Sequence, residues 1–320
     1  MSEKIGIVGS GKIGRCWAIL FAAADYRISL HDIGENQLNT AITEIKKTSE
    51  QLAEDGLLRG NKTPSQILEN ISTTTDLAEC LKDAVYIQEC VFEDYDLKKD
   101  IFRKMDDVAA TGTVLASSTS ALPASEFSAD LKNKSSCLVV HPVNPPFLCP
   151  LVEIIPAEWT RKEVTNKAVE LMNEIGQSPV RLNKEVTGFA VNRLQYAICA
   201  EAWRLVRDGV MSAEDVDKVV SEGLGLRWAF LGPLEVMALN GDGIQNHNLR
   251  YGKGFNKIMN DYAEGPDLLS EEIKLLAEKE IDSRIPVADV QKWRDWRDTR
   301  LIALAKLKKQ LGLKKPEKEK

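Results

Sequence analysis

Two patterns of hydrophobic and polar positions divide this chain. In the first half, short apolar runs alternate with longer stretches of helical spacing. Ile5–Val8 is apolar and runs into glycines, Lys12–Ala24 has helical composition, and Tyr26–His31 is a second short run. Asn36 to about Leu58 mixes polar and apolar positions as an amphipathic helix does. Ile71–Thr74, Val85–Glu89, Val114–Ser117 and Leu138–Val140 continue the series of strands. Leu151–Ile155 and Pro179–Arg181 read as extra strands, with the helical stretch Lys162–Ile175 between them. Strands alternating with helices predict an α/β fold with a doubly wound parallel sheet. After Gly188 nearly everything from Ala190 to Leu311 is helical by pattern. The breaks fall at Gly223-Leu224-Gly225, Gly232-Pro233, Gly241, Gly243, Gly265-Pro266 and Pro286. A domain boundary is expected near Glu185–Gly188, followed by an all-helical C-terminal domain. The tail Lys314–Lys320 is rich in lysine and glutamate and is expected to be a solvated, disordered end.

The first strand leads into Gly9-Ser10-Gly11-Lys12-Ile13-Gly14, a G-x-G-x-x-G that opens a helix. In that setting Gly9 permits the tight turn, Gly11 lets backbone approach a pyrophosphate, and Gly14 lets helix and strand pack closely. The helix then offers the free N–H groups of its first turn, Lys12 and Ile13 among them, to the phosphates. Asp32 closes the next strand, where an acid is needed to accept both ribose hydroxyls. A carboxylate there repels a 2′-phosphate, and Ile33-Gly34-Glu35 supplies no compensating cation, so NAD is expected rather than NADP. Residues 1–187 thus read as a Rossmann domain that binds NAD, and 188–320 as a helical domain for substrate binding and dimerisation. His31, beside Asp32, reads as a surface or packing residue.

Composition narrows the partners. The 320 residues carry a formal net charge of −6, which argues against a nucleic-acid partner. No apolar run reaches the roughly 18–20 residues that span a bilayer. Met1-Ser2-Glu3-Lys4 leads directly into a strand rather than a signal peptide. The six cysteines show no C-x-x-C pair and read as reduced thiols of a cytoplasmic chain, and the three scattered histidines give no metal site.

Four positions carry polar chemistry suited to oxidising an alcohol. Ser120 ends the run Ala116-Ser117-Ser118-Thr119-Ser120 after a strand. His141 begins His141-Pro142-Val143-Asn144-Pro145-Pro146. Glu153 lies inside the apolar run Leu151-Val152-Glu153-Ile154-Ile155, and Asn192 follows Gly188-Phe189-Ala190-Val191. Such a reaction needs a base near neutrality, which histidine supplies. A charged residue inside an apolar strand is costly unless paired, so Glu153 is the candidate carboxylate behind His141. Ser120 and Asn192 can donate to the substrate oxygen. Composition and spacing leave other roles open: a loop histidine, a solvent-facing glutamate, a serine cap and an asparagine bridging helices.

The motifs Gly9–Gly14, Ser118-Thr119-Ser120, His141 to Pro145, Leu151-Val152-Glu153, Gly188 to Arg193 and Gly232-Pro233, in this order and spacing, resemble the 3-hydroxyacyl-CoA dehydrogenase family. The resemblance covers nearly the whole chain and, within the family, is to its lambda-crystallin branch. It implies that Ser120, His141, Glu153 and Asn192 match the catalytic set, with Ser120 and Asn192 touching the substrate oxygen. It also implies that Glu93 and Lys98 lie near the nicotinamide ribose. On the sequence alone, Lys98 is an ordinary helix-surface lysine. The acyl-CoA members have Asn-Thr-Ser in place of Ser118-Thr119-Ser120, and two aromatics in place of Pro142-Val143. Instead of their Gly-Phe-Tyr-like segment, this chain carries Gly225 to Phe230, which looks like the lambda-crystallin branch and the carnitine dehydrogenases. A small free 3-hydroxy acid is therefore expected as substrate; the resemblance to that branch implies L-gulonate first, with 3-hydroxybutyrate, carnitine or an acyl-CoA as alternatives. Some relatives of that branch are implied to serve as bulk lens protein. Arg227 is the expected carboxylate clamp, because its planar guanidinium binds a carboxylate through two parallel hydrogen bonds. Its other reading is a surface or interface arginine. Trp203, Trp228, Trp293 and Trp296 supply aromatic surface for the expected homodimer, or core packing.

Overall fold

The computed structural model describes residues 2–262 and 267–312. The expected break at Gly265-Pro266 and the tail Lys314–Lys320 lie outside the described residues. The strands are β1 (Lys4–Val8), β2 (Arg27–His31), β3 (Ile71–Thr74), β4 (Ala84–Glu89), β5 (Val114–Ser117), β6 (Cys137–Pro142), β7 (Leu151–Pro156) and β8 (Ser178–Arg181). They form one eight-stranded sheet in the order β3-β2-β1-β4-β5-β6-β7-β8. β1 to β6 run parallel, β7 runs antiparallel to β6, and β8 runs parallel to β7. The first six strands have the order of a dinucleotide-binding fold, and the direction of winding reverses between β1 and β4.

Alternate strand residues build two separate cores, one on each face. Ile5, Ile7, Ile28, Leu30, Val114, Ala116, Leu138 and Val140 pack with Trp17 and Phe21 of the helix Lys12–Ala23, Leu38 and Ile45 of Glu35–Glu54, and Leu171 of Lys162–Glu174. Val8, Ile87, Leu115, Val139 and Ile155 pack with Ile101, Phe102 and Met105 of Tyr95–Val108 and with Phe127 of Ala124–Ser128. A sheet covered on both faces needs near-continuous apolar strands, which is why these runs show so little polar alternation.

The chain divides into two compact units. One runs to Arg193 and takes in the described residues from Arg297 onward; the other is Leu194–Trp296. The first unit therefore extends past the expected boundary at Gly188, for a local reason. Phe189 is fully buried in the second core, and the amides of Ala190 and Val191 are hydrogen-bonded to the strand residue Glu153. The last segment of the helix Val290–Leu311 also belongs here. Ile302 and Ala305 pack on the first core, Lys306 bonds to Asp55 and Lys309 to the Gly56 carbonyl.

The second unit is helical, with Ala213–Lys218, a π-turn Val219–Leu224, and the helices Gly225–Trp228, Pro233–Asn240, Ile244–Asp261 and Glu271–Ala277. Among its described apolar residues only Ala213, Val216, Val236 and Ile273 are buried. Leu226, Leu234, Leu239, Leu249, Trp293 and Trp296 are exposed.

Candidate active site

Every candidate group of the first unit sits at the carboxyl edge of the parallel strands, where such sheets bind ligands. The register makes this explicit: Val8 pairs with both His31 and Glu89, Glu89 with Ser117, and Ser117 with Val139, two residues before His141. The glycine turn, Asp32, the Ser118–Ser120 turn and His141 therefore lie along one edge.

The glycine turn has the shape its sequence implies. Gly9 has φ of 105°, and a Cβ there would lie 2.7 Å from the Cys90 carbonyl oxygen. A Cβ on Gly14 would lie 1.9 Å from the Gly9 carbonyl oxygen. A Cβ on Gly11 would meet nothing within 4 Å, so that face of the turn is open. The helix beginning at Lys12 has no side-chain cap and no acid in its first turn. Its N–H groups and positive dipole end are thus available to an anion, and this is the cradle a pyrophosphate fits. Asp32 Oδ2 accepts the Ser10 amide at 2.8 Å and the Ser10 hydroxyl at 2.6 Å, and Oδ1 accepts the Ile33 amide at 2.8 Å. The carboxylate is locked beside the turn, and its remaining lone pairs suit ribose hydroxyls. His31 is buried, a packing residue.

His141 and Glu153 are direct partners across the antiparallel β6–β7 ladder. Opposite residues of such a pair project to the same face. His141 Nδ1 lies 2.7 Å from Glu153 Oε2. Glu153 Oε1 accepts the amides of Ala190 at 2.7 Å and Val191 at 3.0 Å. Glu153 is fully buried, so the solvent-facing alternative does not hold. Burial by itself raises its carboxyl, but the bond to His141 and the Val191 and Ala190 amides outweigh it and hold the group below the ordinary carboxylate value. The carboxylate is therefore ionised and faces an imidazole whose Nδ1 carries the proton, leaving Nε2 as the basic nitrogen.

The helix that starts at Val191 places Asn192 one residue on. Asn192 Nδ2 donates to the Ser120 carbonyl oxygen at 2.8 Å. A hydrogen-bonded chain thus joins His141, Glu153, the first turn of that helix, Asn192 and Ser120. Arg227 belongs to the second unit, exposed on the short helix Gly225–Trp228 that follows the π-turn.

Lys98 corrects the sequence-only expectation of a surface lysine. Its side chain is 1% exposed. Nζ lies 2.9 and 3.2 Å from the two oxygens of the fully buried Glu89, and 3.4 Å from Glu93 Oε2. Glu93 Oε1 accepts the Thr119 hydroxyl and, at 3.2 Å, the Ser120 amide. Composition did not single out Glu89, although it ends an apolar strand as a charged residue, the same signal that marked Glu153. Ser118 was missed as well. Its hydroxyl receives Gln88 Nε2 at 2.7 Å and Trp17 Nε1 at 3.1 Å and lies 3.2 Å from Cys90 Sγ, tying the cofactor helix to the end of β5.

A dinucleotide-binding sheet carrying a His–Glu pair at its carboxyl edge defines an NAD-dependent oxidoreductase. The chain belongs to the 3-hydroxyacyl-CoA dehydrogenase family. Residues 4–186 match the model of the 3-hydroxyacyl-CoA dehydrogenase NAD binding domain, and residues 188–275 match that of its C-terminal domain. It is 42% identical to lambda-crystallin of Oryctolagus cuniculus, over 95% of this chain and 96% of that one. It is 35% identical to L-carnitine dehydrogenase of Oceanobacillus iheyensis, over 75% of this chain and 76% of that one. Among solved structures it is similar to 5-formyl-3-hydroxy-2-methylpyridine 4-carboxylic acid 5-dehydrogenase, an NAD+-dependent dismutase. That likeness has 25% identity and a TM-score of 0.81, covering 96% of this chain and 98% of that one. Among the described residues, no helix is long and apolar enough to cross a membrane.

Proposed function

We propose that this chain oxidises the 3-hydroxyl of a small free hydroxy acid, L-gulonate first among them, to the 3-oxo acid. The observation that carries this reading is the 2.7 Å contact between His141 Nδ1 and Glu153 Oε2 at the edge shared with the glycine turn. NAD, when bound, would supply the acceptor for the hydride that leaves the carbinol carbon. His141 Nε2 receives the hydroxyl proton, and Glu153 stabilises the resulting imidazolium while holding its Nδ1–H. The Ser120 hydroxyl and the Asn192 amide hold the substrate oxygen. Gly9, Gly11, Lys12, Ile13 and Gly14 cradle the pyrophosphate, Asp32 takes one ribose, and Glu93 and Lys98 lie by the other.

The substrate class rests on Pro142-Val143, where acyl-CoA members are aromatic, and on the kinds of acid named for relatives, a carnitine and a pyridine carboxylic acid. Arg227 clamps the substrate carboxylate. Losing even one of the two charge-assisted hydrogen bonds costs about 1.5–3 kcal/mol, so Arg227→Met raises KM for the acid at least ~10-fold with little change in kcat. An unchanged KM removes that role. The protein acts as a homodimer, a reading supported by the exposed leucines and tryptophans of the helical unit, and light scattering of the purified chain checks this; a cytoplasmic location is part of the same reading.

The functional test is NADH formation at saturating NAD with L-gulonate, 3-hydroxybutyrate, L-carnitine and 3-hydroxybutyryl-CoA. L-gulonate is expected to give the highest kcat/KM. A preferred thioester overturns the free-acid assignment. NAD binding without turnover of any substrate overturns the enzymatic reading in favour of a bulk structural role.

A further inference from the structure

The Glu89–Lys98–Glu93 cluster is unusual in its charge count. Glu89 is fully buried, Lys98 almost so, and Glu93 is 41% exposed. Every polar contact of the Glu89 carboxylate is a donor. Lys98 Nζ reaches both oxygens, the Val91 amide donates to Oε1 at 2.6 Å, and the Ser117 hydroxyl donates to Oε2 at 2.5 Å. Burial pushes the Glu89 carboxyl above the ordinary carboxylate value, while Lys98, the Ser117 hydroxyl and the Val91 amide pull it back; these donors favour the anion, because a protonated carboxyl would turn one oxygen into a donor facing donors. Lys98 meets only acceptors: Glu89, Glu93 and the Val91 carbonyl. Two carboxylates share one ammonium, so the cluster carries one negative charge in excess, spread between the buried Glu89 and the partly exposed Glu93.

Its position along the sheet edge gives that charge a use. The edge runs from Asp32 after β2, through the glycine turn after β1, to Glu89 at the end of β4, the Ser118–Ser120 turn after β5 and His141 in β6. A dinucleotide with one ribose on Asp32 and its phosphates on the glycine turn must place its reactive ring on the far side, over β4 and β5, to meet a substrate held by Ser120 and His141. The excess charge lies in that stretch. The nicotinamide ring is cationic when oxidised and neutral when reduced, so an excess negative charge near it would favour the oxidised form selectively.

We propose that Glu89 is a positioning residue that sets the redox preference of the coenzyme site. It fixes Lys98 between two carboxylates and supplies the net negative charge that raises affinity for NAD+ relative to NADH. The coenzyme is then held for oxidation and the neutral product form is released more readily. This rests on the reading that this edge binds the nicotinamide half.

The test uses the full chain and calorimetric Kd values for NAD+ and NADH in the wild type, Glu89→Gln, Glu93→Gln and Ser117→Ala. Loss of a unit charge near the ring is expected to raise Kd(NAD+)/Kd(NADH) about 5-fold or more in Glu89→Gln. The ratio rises by less in Glu93→Gln, whose carboxylate is screened by solvent, and stays unchanged in Ser117→Ala, which removes a hydrogen bond but no charge. A merely structural role weakens both coenzymes alike, and an unchanged ratio in Glu89→Gln overturns the proposal. Where circular dichroism shows Glu89→Gln unfolded, Glu93→Gln decides: an unchanged ratio there overturns it too. The underlying reading fails separately, if Glu93→Gln and Asp32→Ala leave both Kd values at wild-type levels.

Discussion

Asn192 and Ser120, 72 residues apart in sequence, are joined by one hydrogen bond from the Asn192 amide to the Ser120 carbonyl oxygen at 2.8 Å. The bond ties the first turn of the helix Val191–Arg207 to the turn after β5. Asn192→Asp places an acceptor against that carbonyl and removes the donor available to the substrate oxygen. The expected result is a fall in kcat/KM of about 10–100-fold, the effect of losing a charge-assisted or buried bond of about 1.5–3 kcal/mol. Coenzyme Kd stays at the wild-type value, which fluorescence titration checks.

The His141–Glu153 pair predicts both rate and stability. His141→Gln keeps NAD binding and lowers turnover by ~10²–10⁴-fold, the usual contribution of a positioned base. Glu153→Gln leaves its buried donors poorly satisfied and costs about 1–3 kcal/mol of stability at neutral pH. The pH dependence follows from the lowered carboxyl of Glu153. A depressed folded value means the ionised group stabilises the native state above its ordinary value of 4.5, and that this advantage drains away as pH falls through the lowered folded value. Urea denaturation should therefore show the wild-type advantage over Glu153→Gln complete at pH 6–7 and shrinking below about pH 4.5.

Two glycines of one turn are expected to fail differently. Gly14→Ala forces a methyl to within 1.9 Å of a backbone oxygen, so the turn must shift and stability falls by about 2 kcal/mol or more. Gly11→Ala meets no protein atom and leaves Tm within a few degrees of wild type, yet its methyl fills the space phosphates need. Its NAD Kd is expected to rise ~10-fold or more. Thermal melts with and without NAD separate the two.

Asp32 is held by the amides of Ser10 and Ile33 and the Ser10 hydroxyl, with no cation nearby on Ile33-Gly34-Glu35. Asp32→Ser removes the charge that repels a 2′-phosphate. NAD KM should rise and the preference for NAD over NADP should narrow by about 10-fold or more, read from kcat/KM with each coenzyme.

The pattern of the chain was enough to locate every strand of the sheet within a residue or two: most inner strands because strands buried on both faces must be largely apolar, and the exposed edge strands Ile71–Thr74 and Ser178–Arg181 from their short extended runs. It was also enough to mark the glycine turn, since only glycine tolerates the contacts at Gly9 and Gly14. Glu153 was legible for a physical reason, the cost of an unpaired charge in an apolar run. Tertiary structure alone decided the rest. Whether Lys98 faced solvent or Glu89 depended on which face of the helix Tyr95–Val108 met the sheet. The return of residues after Arg297 to the first unit depended on packing against Asp55 and Gly56 across the length of the chain. The antiparallel entry of β7 put Glu153 opposite His141. Periodicity records which side of a segment is apolar, a local property. The partner it meets and the direction of pairing are set by the free energy of the whole assembled sheet, which no single segment carries.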